Sequence, residues 1–174
     1  MKSPGPTHHR PDVLTWQTEP LSEEVTLAGQ VTAKLFAATT GSDADWIVKL
    51  IDVYPEADKE NWKLSGYELM IAEEIFRGRY RQSYERPEPI IPNRVTPFTI
   101  DLHTASHVFQ KGHRIMVQVQ STWFPLYDRN PQKFVPNIFE AKESDFQKAT
   151  QKIYRSTKHP SSVEIMVMHP AAID

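Results

Sequence analysis

The sequence predicts an all-β fold, a β-sandwich or jelly roll, because three of its features agree. Short segments alternate apolar and polar side chains, which is the period of a strand with one buried face. The chain has 14 prolines and 6 glycines, which suits short extended segments separated by stiff turns. Segments with helical apolar spacing are few, so we expect one or two short helices. A chain of 174 residues is long enough for one domain with a real core. We expect a flexible lead-in at 1–11 and the sandwich at 12–174.

The composition excludes several kinds of site and partner. The chain has no cysteine, which excludes disulfides, thiolate metal ligands and thiol nucleophiles. The formal net charge is −2, and its basic residues are scattered among acidic ones, so we expect no nucleic-acid partner. No apolar run approaches the ~20 residues that span a bilayer, and the N-terminus has no apolar signal-peptide core, so we expect no membrane partner. A soluble protein is expected, and its compartment, cytoplasmic or periplasmic, stays open.

The first half of the chain contains three strand patterns. They lie at 12–18, 31–39 and 45–54. A surface connection through Gly29 is predicted at 21–30, between the first two. The segment 45–54 is apolar on both faces apart from Lys49 and Asp52, which predicts a central strand covered on both sides.

The segment 67–81 is ambiguous by pattern. Its apolar residues fit both the stripe of a helix and one face of a strand. Local propensity favours a helix, because Glu and Met are good helix formers. The residues taken alone leave both structures open.

The second half of the chain continues with strands, one loop and one candidate helix. Three prolines require an extended loop at 85–94. A short strand follows at 95–102, where Pro97 predicts an edge position or a bulge, and 104–112 is expected to connect it to the next strand. The segment 137–148 is the best helical candidate, since its first residue, an asparagine, suits an N-cap. Further strand patterns lie at 113–121, 151–155 and 162–169.

The strand at 113–121 delivers an unusual set of side chains to one edge of its sheet. Trp123 and Phe124 follow it, and then comes the polar run Asp128, Arg129 and Asn130. Aromatic anchors beside an arginine are typical of a buried interface. Arg129 could pair with Asp128 locally, or with a carboxylate or backbone carbonyls of a partner domain. A loop that fastens itself to its own sandwich fits these residues equally well.

Motifs for catalysis and cofactor binding are missing from the sequence. No serine is flanked by glycines as a nucleophile elbow requires, and the glycines are too isolated to cradle a phosphate. We therefore expect no catalytic residue, no cofactor and no metal. The histidines His103, His107 and His113 are close in sequence, but surface or hydrogen-bonded core positions are a simpler interpretation than a metal site.

Two further groups have a structural interpretation that we prefer. The carboxylates of Asp43, Asp45 and Asp52 are interpreted as a capped turn and a strand residue rather than as a calcium site. The four tryptophans could form a platform that stacks on sugars, although core or interface positions are simpler. They are Trp16, Trp46, Trp62 and Trp123.

A family resemblance is spread over five segments of the chain. They are 10–21, 41–55, 73–81, 109–132, which reads FQKGHRIMVQVQSTWFPLYDRNPQ, and 134–167. These segments resemble the C-terminal domain of the cocaine-esterase/X-Pro dipeptidyl-peptidase (CocE/NonD) family of serine hydrolases. Within that family they are most similar to α-amino-acid ester hydrolases and glutaryl-7-aminocephalosporanic-acid acylases. Because the segments occur in order over most of the chain, they are more specific than any single motif.

The resemblance implies a jelly-roll β-sandwich of galactose-binding-like type, with 67–81 as a strand. It also implies a partner, an α/β-hydrolase catalytic domain that carries the catalytic Ser, Asp and His, in the same chain or as a separate piece. No catalytic residue is carried over to this sequence, so we expect the isolated chain to be inactive. The implied role is to pack on the catalytic domain, help to shape its active-site cleft and support homo-oligomers. A carbohydrate-binding module is the alternative, and a small independent enzyme has little support.

Overall fold

The structure, a computed structural model, describes residues 10, 12–56 and 62–168. Its strands there are β1 (Val13–Gln17), β2 (Val25–Thr39), β3 (Asp45–Val53), β4 (Glu68–Arg77), β5 (Thr96–Phe109), β6 (Arg114–Gln120), β7 (Gln151–Ser156), β8 (His159–Pro160) and β9 (Ser162–Met168). The lead-in predicted at 1–11 lies outside the described residues except for Arg10. No helix in the described ranges has the length and apolar character needed to cross a membrane.

Two antiparallel sheets form a β-sandwich. The first has the strand order β1-β6-β3-β4, and the second has the order β5-β2-β7-β8, with β9 also paired to β2. β2 is 15 residues long, which lets it pair with β5 along one side and with β7 and β9 along the other. The all-β sandwich predicted from the alternating segments is confirmed, while its galactose-binding-like subtype stays a prediction.

The main core lies between the two sheets. Trp46, Val48 and Leu50 of β3 belong to it and are almost fully buried. They pack in one cluster with side chains of β2 and β5, and the ring centroids of Trp46 and Phe98 are 5.6 Å apart. Burying one such large apolar side chain contributes on the order of 2 kcal/mol. These contacts hold the two sheets face to face.

The central strand β3 is covered on both faces, as its sequence predicts. All of its residues except Lys49 are buried. On the face turned away from the main core, Ile51 and Val53 form a second cluster with Met116 of β6. Met116 is fully buried in this second cluster. Both faces of β6 are therefore covered, although its sequence alternates between apolar and polar residues.

Two strands are longer than the sequence predicts. β2 begins at Val25, because Gly29 lies within the strand at a φ of 135° instead of ending a loop. β5 continues to Phe109 through His103, whose φ is 65°. The two extensions pair with each other, with Val25 opposite Phe109. The connections predicted at 21–30 and 104–112 were wrong, since an irregular residue resembles a turn locally while long-range pairing continues the ladder.

The ambiguous segment 67–81 forms strand β4, followed by a 3-10 turn at Gly78–Tyr80. The strand that the family resemblance implies for this segment is confirmed, and the helix that propensity favours was wrong. β4 pairs along the whole of β3, from Asp45 opposite Arg77 onwards, and this pairing outweighs local preference. The edge position predicted from Pro97 is also confirmed, because β5 lies at the edge of the second sheet.

The helix predicted at 137–148 was wrong. The segment contains two 3-10 turns, Ile138–Glu140 and Glu143–Asp145. The expected cap exists, since the Asn137 side chain accepts a hydrogen bond from the backbone N–H of Phe139 at 3.0 Å. A short helix needs an apolar face against the core to be stable, and of these two turns only Ile138 is buried.

The strand register brings three connections to one end of the sandwich. Asp45 lies opposite Arg77, and Thr39 lies opposite Gln151, so the segments 40–44, 78–95 and 121–150 share that end. We call it the loop end. The connections 18–24 and 110–113 lie at the opposite end, together with the described segments 54–56 and 62–67. The loop end contains all five residues that the sequence marks as a candidate interface.

Candidate interface at the loop end

A buried ion pair holds the base of the loop end. Arg79 donates through Nε to Oδ2 of Asp43 at 2.8 Å, and its Nη2 lies 2.6 Å from the same oxygen. Its Nη1 donates to the carbonyl of Val135 at 2.9 Å, and the guanidinium lies 4.7 Å from the centroid of the Phe134 ring. Both charged side chains are almost completely buried. The pair therefore fastens the segment after β6 to the connection between β2 and β3.

A second buried carboxylate holds the loop that follows β6. Asn130 donates through Nδ2 to Oδ1 of Asp45 at 2.8 Å, and its own Oδ1 accepts the backbone N–H of Gln132 at 2.8 Å. Burial raises the pKa of Asp45 to about 6, although Arg77, whose Nε is 3.7 Å from Oδ2, and Asn130 both lower it. Asn130 is only 6% exposed, so it anchors the loop and does not present its side chain outward.

Exposed aromatic rings surround Arg129 at this end. Phe124 is 61% exposed and Phe146 is 40% exposed. The Arg129 guanidinium lies 5.5 Å from the centroid of each ring. Phe139, which is 75% exposed, lies with its ring centroid 5.9 Å from the guanidinium of Arg77. We call Phe124, Arg129, Phe139 and Phe146 the aromatic surface.

Trp123 lies on the outer face of the first sheet, beside the aromatic surface. The amine of Lys49 is 3.6 Å from the centroid of its indole ring, and the Tyr127 ring is 6.1 Å away between centroids. Burial lowers the pKa of Lys49. A half-buried amine over an indole is a cation–π contact that restrains both groups. Trp123 therefore already packs against its own sandwich and is only partly available to a partner.

The five predicted interface residues therefore take different places. Phe124, Asp128 and Arg129 are exposed, Trp123 is half-buried, and Asn130 is buried. The sequence reasoning missed Phe139 and Phe146. Both lie in the segment 137–148, which the sequence reasoning treated as a candidate helix and not as part of the interface.

The three histidines occupy surface and hydrogen-bonded core positions, as the sequence predicts. His107 of β5 is hydrogen bonded to Oδ2 of Asp52, and His113 before β6 is hydrogen bonded to Oδ1, both at 2.8 Å. His103 is exposed and lies 2.8 Å from Glu74. Asp52 is buried and belongs to β3 of the first sheet, whereas His107 belongs to β5 of the second. This cluster therefore links the two sheets at the end opposite the loop end. Among the described residues, no group of three or more histidines and carboxylates is placed to hold a metal ion.

The other candidate groups are dispersed. Asp43 and Asp45 lie in the two anchors of the loop end, whereas Asp52 lies at the opposite end. Trp46 is buried in the core, and Trp62 is exposed in a 3-10 turn at that opposite end. These residues therefore do not form a shared calcium site or a sugar platform.

Comparison with known proteins gives the family. Residues 3–164 match the family described as the X-Pro dipeptidyl-peptidase C-terminal non-catalytic domain. A cocaine esterase of a Rhodococcus species is 36% identical over 163 residues, which cover 94% of this chain and 27% of the esterase.

Two solved structures share the fold at high identity. An aminopeptidase of a marine sediment archaeon, Thaumarchaeota archaeon, matches with a TM-score of 0.91 and 53% identity, over 94% of this chain and 27% of its own. An α-amino acid ester hydrolase matches with a TM-score of 0.90 and 57% identity, over 91% of this chain and 26% of its own. The chain thus spans about a quarter of the length of the relatives that it matches. The family predicted from the five segments is confirmed: the chain belongs to the X-Pro dipeptidyl-peptidase C-terminal non-catalytic domains, which form part of CocE/NonD-type hydrolases.

Proposed function

We propose that the chain packs on the α/β-hydrolase catalytic domain of a CocE/NonD-type serine hydrolase through its loop end, and helps to wall the active-site cleft there. The observation that carries this proposal is the aromatic surface, with rings 40% to 75% exposed on a firmly anchored base. Large aromatic side chains left exposed together at one end of a domain are typical of an interaction site. The family supports the identity of the partner, because the relatives are about four times as long as the matched region.

The anchors explain why this end suits docking. Asp43 with Arg79 and Asp45 with Asn130 fix the backbone from inside. The exposed rings are therefore held before a partner arrives, and less conformational entropy is lost on binding. A flexible loop with the same residues would bind less tightly, because it would lose more conformational entropy on binding.

The reaction of the whole enzyme is proposed to be hydrolysis of an ester or amide through an acyl-enzyme on a serine of the catalytic domain. This chain contributes no nucleophile elbow. Its proposed contribution is to hold and shape the site next to which it packs. Self-association through the same surface is the proposed behaviour when the catalytic domain is absent, because the exposed rings would otherwise stay in water.

A chimera tests the proposal. The chain replaces the C-terminal domain of the α-amino acid ester hydrolase, and melting and ester hydrolysis are measured. Phe139→Ala is compared with Trp62→Ala, since the two rings are 75% and 73% exposed but lie at opposite ends. We expect Phe139→Ala to weaken the coupling between the two domains, with Trp62→Ala leaving it unchanged. Both variants should melt like the parent as isolated 174-residue chains. Equal effects in the chimera would contradict docking at the loop end.

A further inference from the structure

Arg129 is held beside two phenyl rings on the surface. Its guanidinium lies 5.5 Å from the ring centroids of both Phe124 and Phe146. The negative face of an aromatic ring attracts a cation, so both rings restrain the side chain. The rings themselves remain 61% and 40% exposed, which leaves the group accessible to a partner.

The backbone on both sides of this group is anchored. Asn130, next to Arg129, is buried and hydrogen bonded to Asp45 at 2.8 Å. The backbone N–H of Gln147, next to Phe146, donates to the carbonyl of Pro131 at 3.1 Å. This hydrogen bond brings the two segments together, so the guanidinium and its ring neighbour are positioned by the main chain.

The described part of the chain supplies no carboxylate to Arg129. Its side chain has ring contacts there, and neither a hydrogen bond nor an ion pair is formed with Asp128 or any other described residue. Asp145, which is adjacent to Phe146, is taken by the amine of Lys133 at 2.7 Å and by the backbone N–H of Lys142 at 3.1 Å. The guanidinium therefore keeps its N–H donors for another molecule.

We propose that Arg129 binds an Asp or Glu carboxylate of the catalytic domain, in a pocket whose apolar side chains cover Phe124 and Phe146. This inference rests on the proposed function and names the chemistry of its contact. A guanidinium presents paired N–H groups whose spacing matches the two oxygens of a carboxylate. Covering the rings removes water from the ion pair, which strengthens the attraction between the charges.

The test uses the chimera described above and the free 174-residue chain. Arg129→Gln removes the charge, and Arg129→Lys keeps the charge but loses the planar fork. Arg94→Gln is the matched control, because Arg94 is also an exposed arginine of the loop end and no aromatic ring lies against it among the described residues. Melting temperatures are measured near pH 7 and near pH 4, where a carboxylate is about half protonated.

We expect Arg129→Gln to lower the melting temperature of the chimera by on the order of 2 °C near pH 7, because a protein about four times as long as this chain has a large unfolding entropy. Arg129→Lys should recover only part of this loss, and Arg94→Gln should have little effect. The loss should shrink near pH 4, and the free chain should melt unchanged.

Three patterns of loss would overturn the inference. They are an equal loss in Arg94→Gln, an equal loss in the free chain, or a loss of the same size near pH 4. If the unsubstituted chimera melts as two independent parts, the proposed function fails, and the carboxylate contact fails with it. A coupled chimera that is indifferent to Arg129→Gln would reject the carboxylate contact alone.

Discussion

Replacing Asp45 with Asn should stabilise the fold near neutral pH, although it removes a charge from an ion pair. Burial raises the pKa of this carboxyl from 3.8 to about 6, against the opposing effects of Arg77 and Asn130. An acid whose pKa is raised on folding is harder to ionise in the folded chain than in the unfolded chain. Its ionised form therefore destabilises the fold.

The sign and size follow from linkage. Below about pH 4 the carboxyl is protonated in both states, and its contribution to stability is fully present. As the pH rises through about 6, the folded chain must ionise a buried group, and that contribution is lost. A shift from 3.8 to about 6 corresponds to roughly 3 kcal/mol at ~1.4 kcal/mol per pH unit. Asn keeps the oxygen that accepts from Asn130 and has no charge to desolvate, so Asp45→Asn should gain up to this amount near pH 7.

Urea unfolding of the 174-residue chain from about pH 4 to about pH 8 measures the effect, as the free energy of unfolding extrapolated to water. The difference between Asp45→Asn and the parent should be small near pH 4 and should grow to its full value above about pH 6. Asp128→Asn, at an exposed carboxylate, is the control and should change little. A difference that is independent of pH, or an Asp45→Asn variant that is less stable near pH 7, would refute the argument.

Three other substitutions probe the anchors and the core. Arg79→Met leaves the buried carboxylate of Asp43 unpaired, so urea unfolding should show a loss of about 3–5 kcal/mol; a loss below about 1 kcal/mol would contradict a buried pair. Val117→Asp places a charge against the main core and should unfold the chain, as circular dichroism would show. Gln118→Asp should have only a small effect on stability, and equal effects would mean that the face assignment of these two residues is reversed. Gly41→Ala would bring its Cβ to 2.2 Å from a backbone carbonyl oxygen, so its melting temperature should fall by several degrees, on the order of 5 °C, and an unchanged value would mean that the loop moves freely.

Local patterns predicted most strands because the period of two survives wherever one face of a strand is buried. The segments 31–39, 45–54 and 162–169 lie within or close to the observed strands. The pattern failed at Gly29 and His103, where a single residue of positive φ interrupts the alternation while the ladder continues. The register of the partner strand decides such positions, and it is not encoded in neighbouring residues.

The candidate interface was predictable only in part. Aromatic residues and an arginine in 121–131 indicated a contact surface, and Phe124 and Arg129 are exposed as that interpretation requires. The division between Arg129, which faces outward, and Asn130, which is buried, depends on a carboxylate 85 positions away in sequence. Phe139 and Phe146 are exposed in a segment that forms 3-10 turns instead of the predicted helix.

The sequence by itself determined the class of fold, the family and the lack of a nucleophile elbow, since each depends on residue types and their spacing along the chain. The tertiary structure decided which carboxylates are buried, where β2 and β5 end and which rings surround Arg129. These depend on contacts between distant segments, such as the pairing of Val25 with Phe109 and of Arg79 with Asp43. Their stability comes from exclusion of water and from long-range hydrogen bonds, both of which exist only after the two sheets have packed.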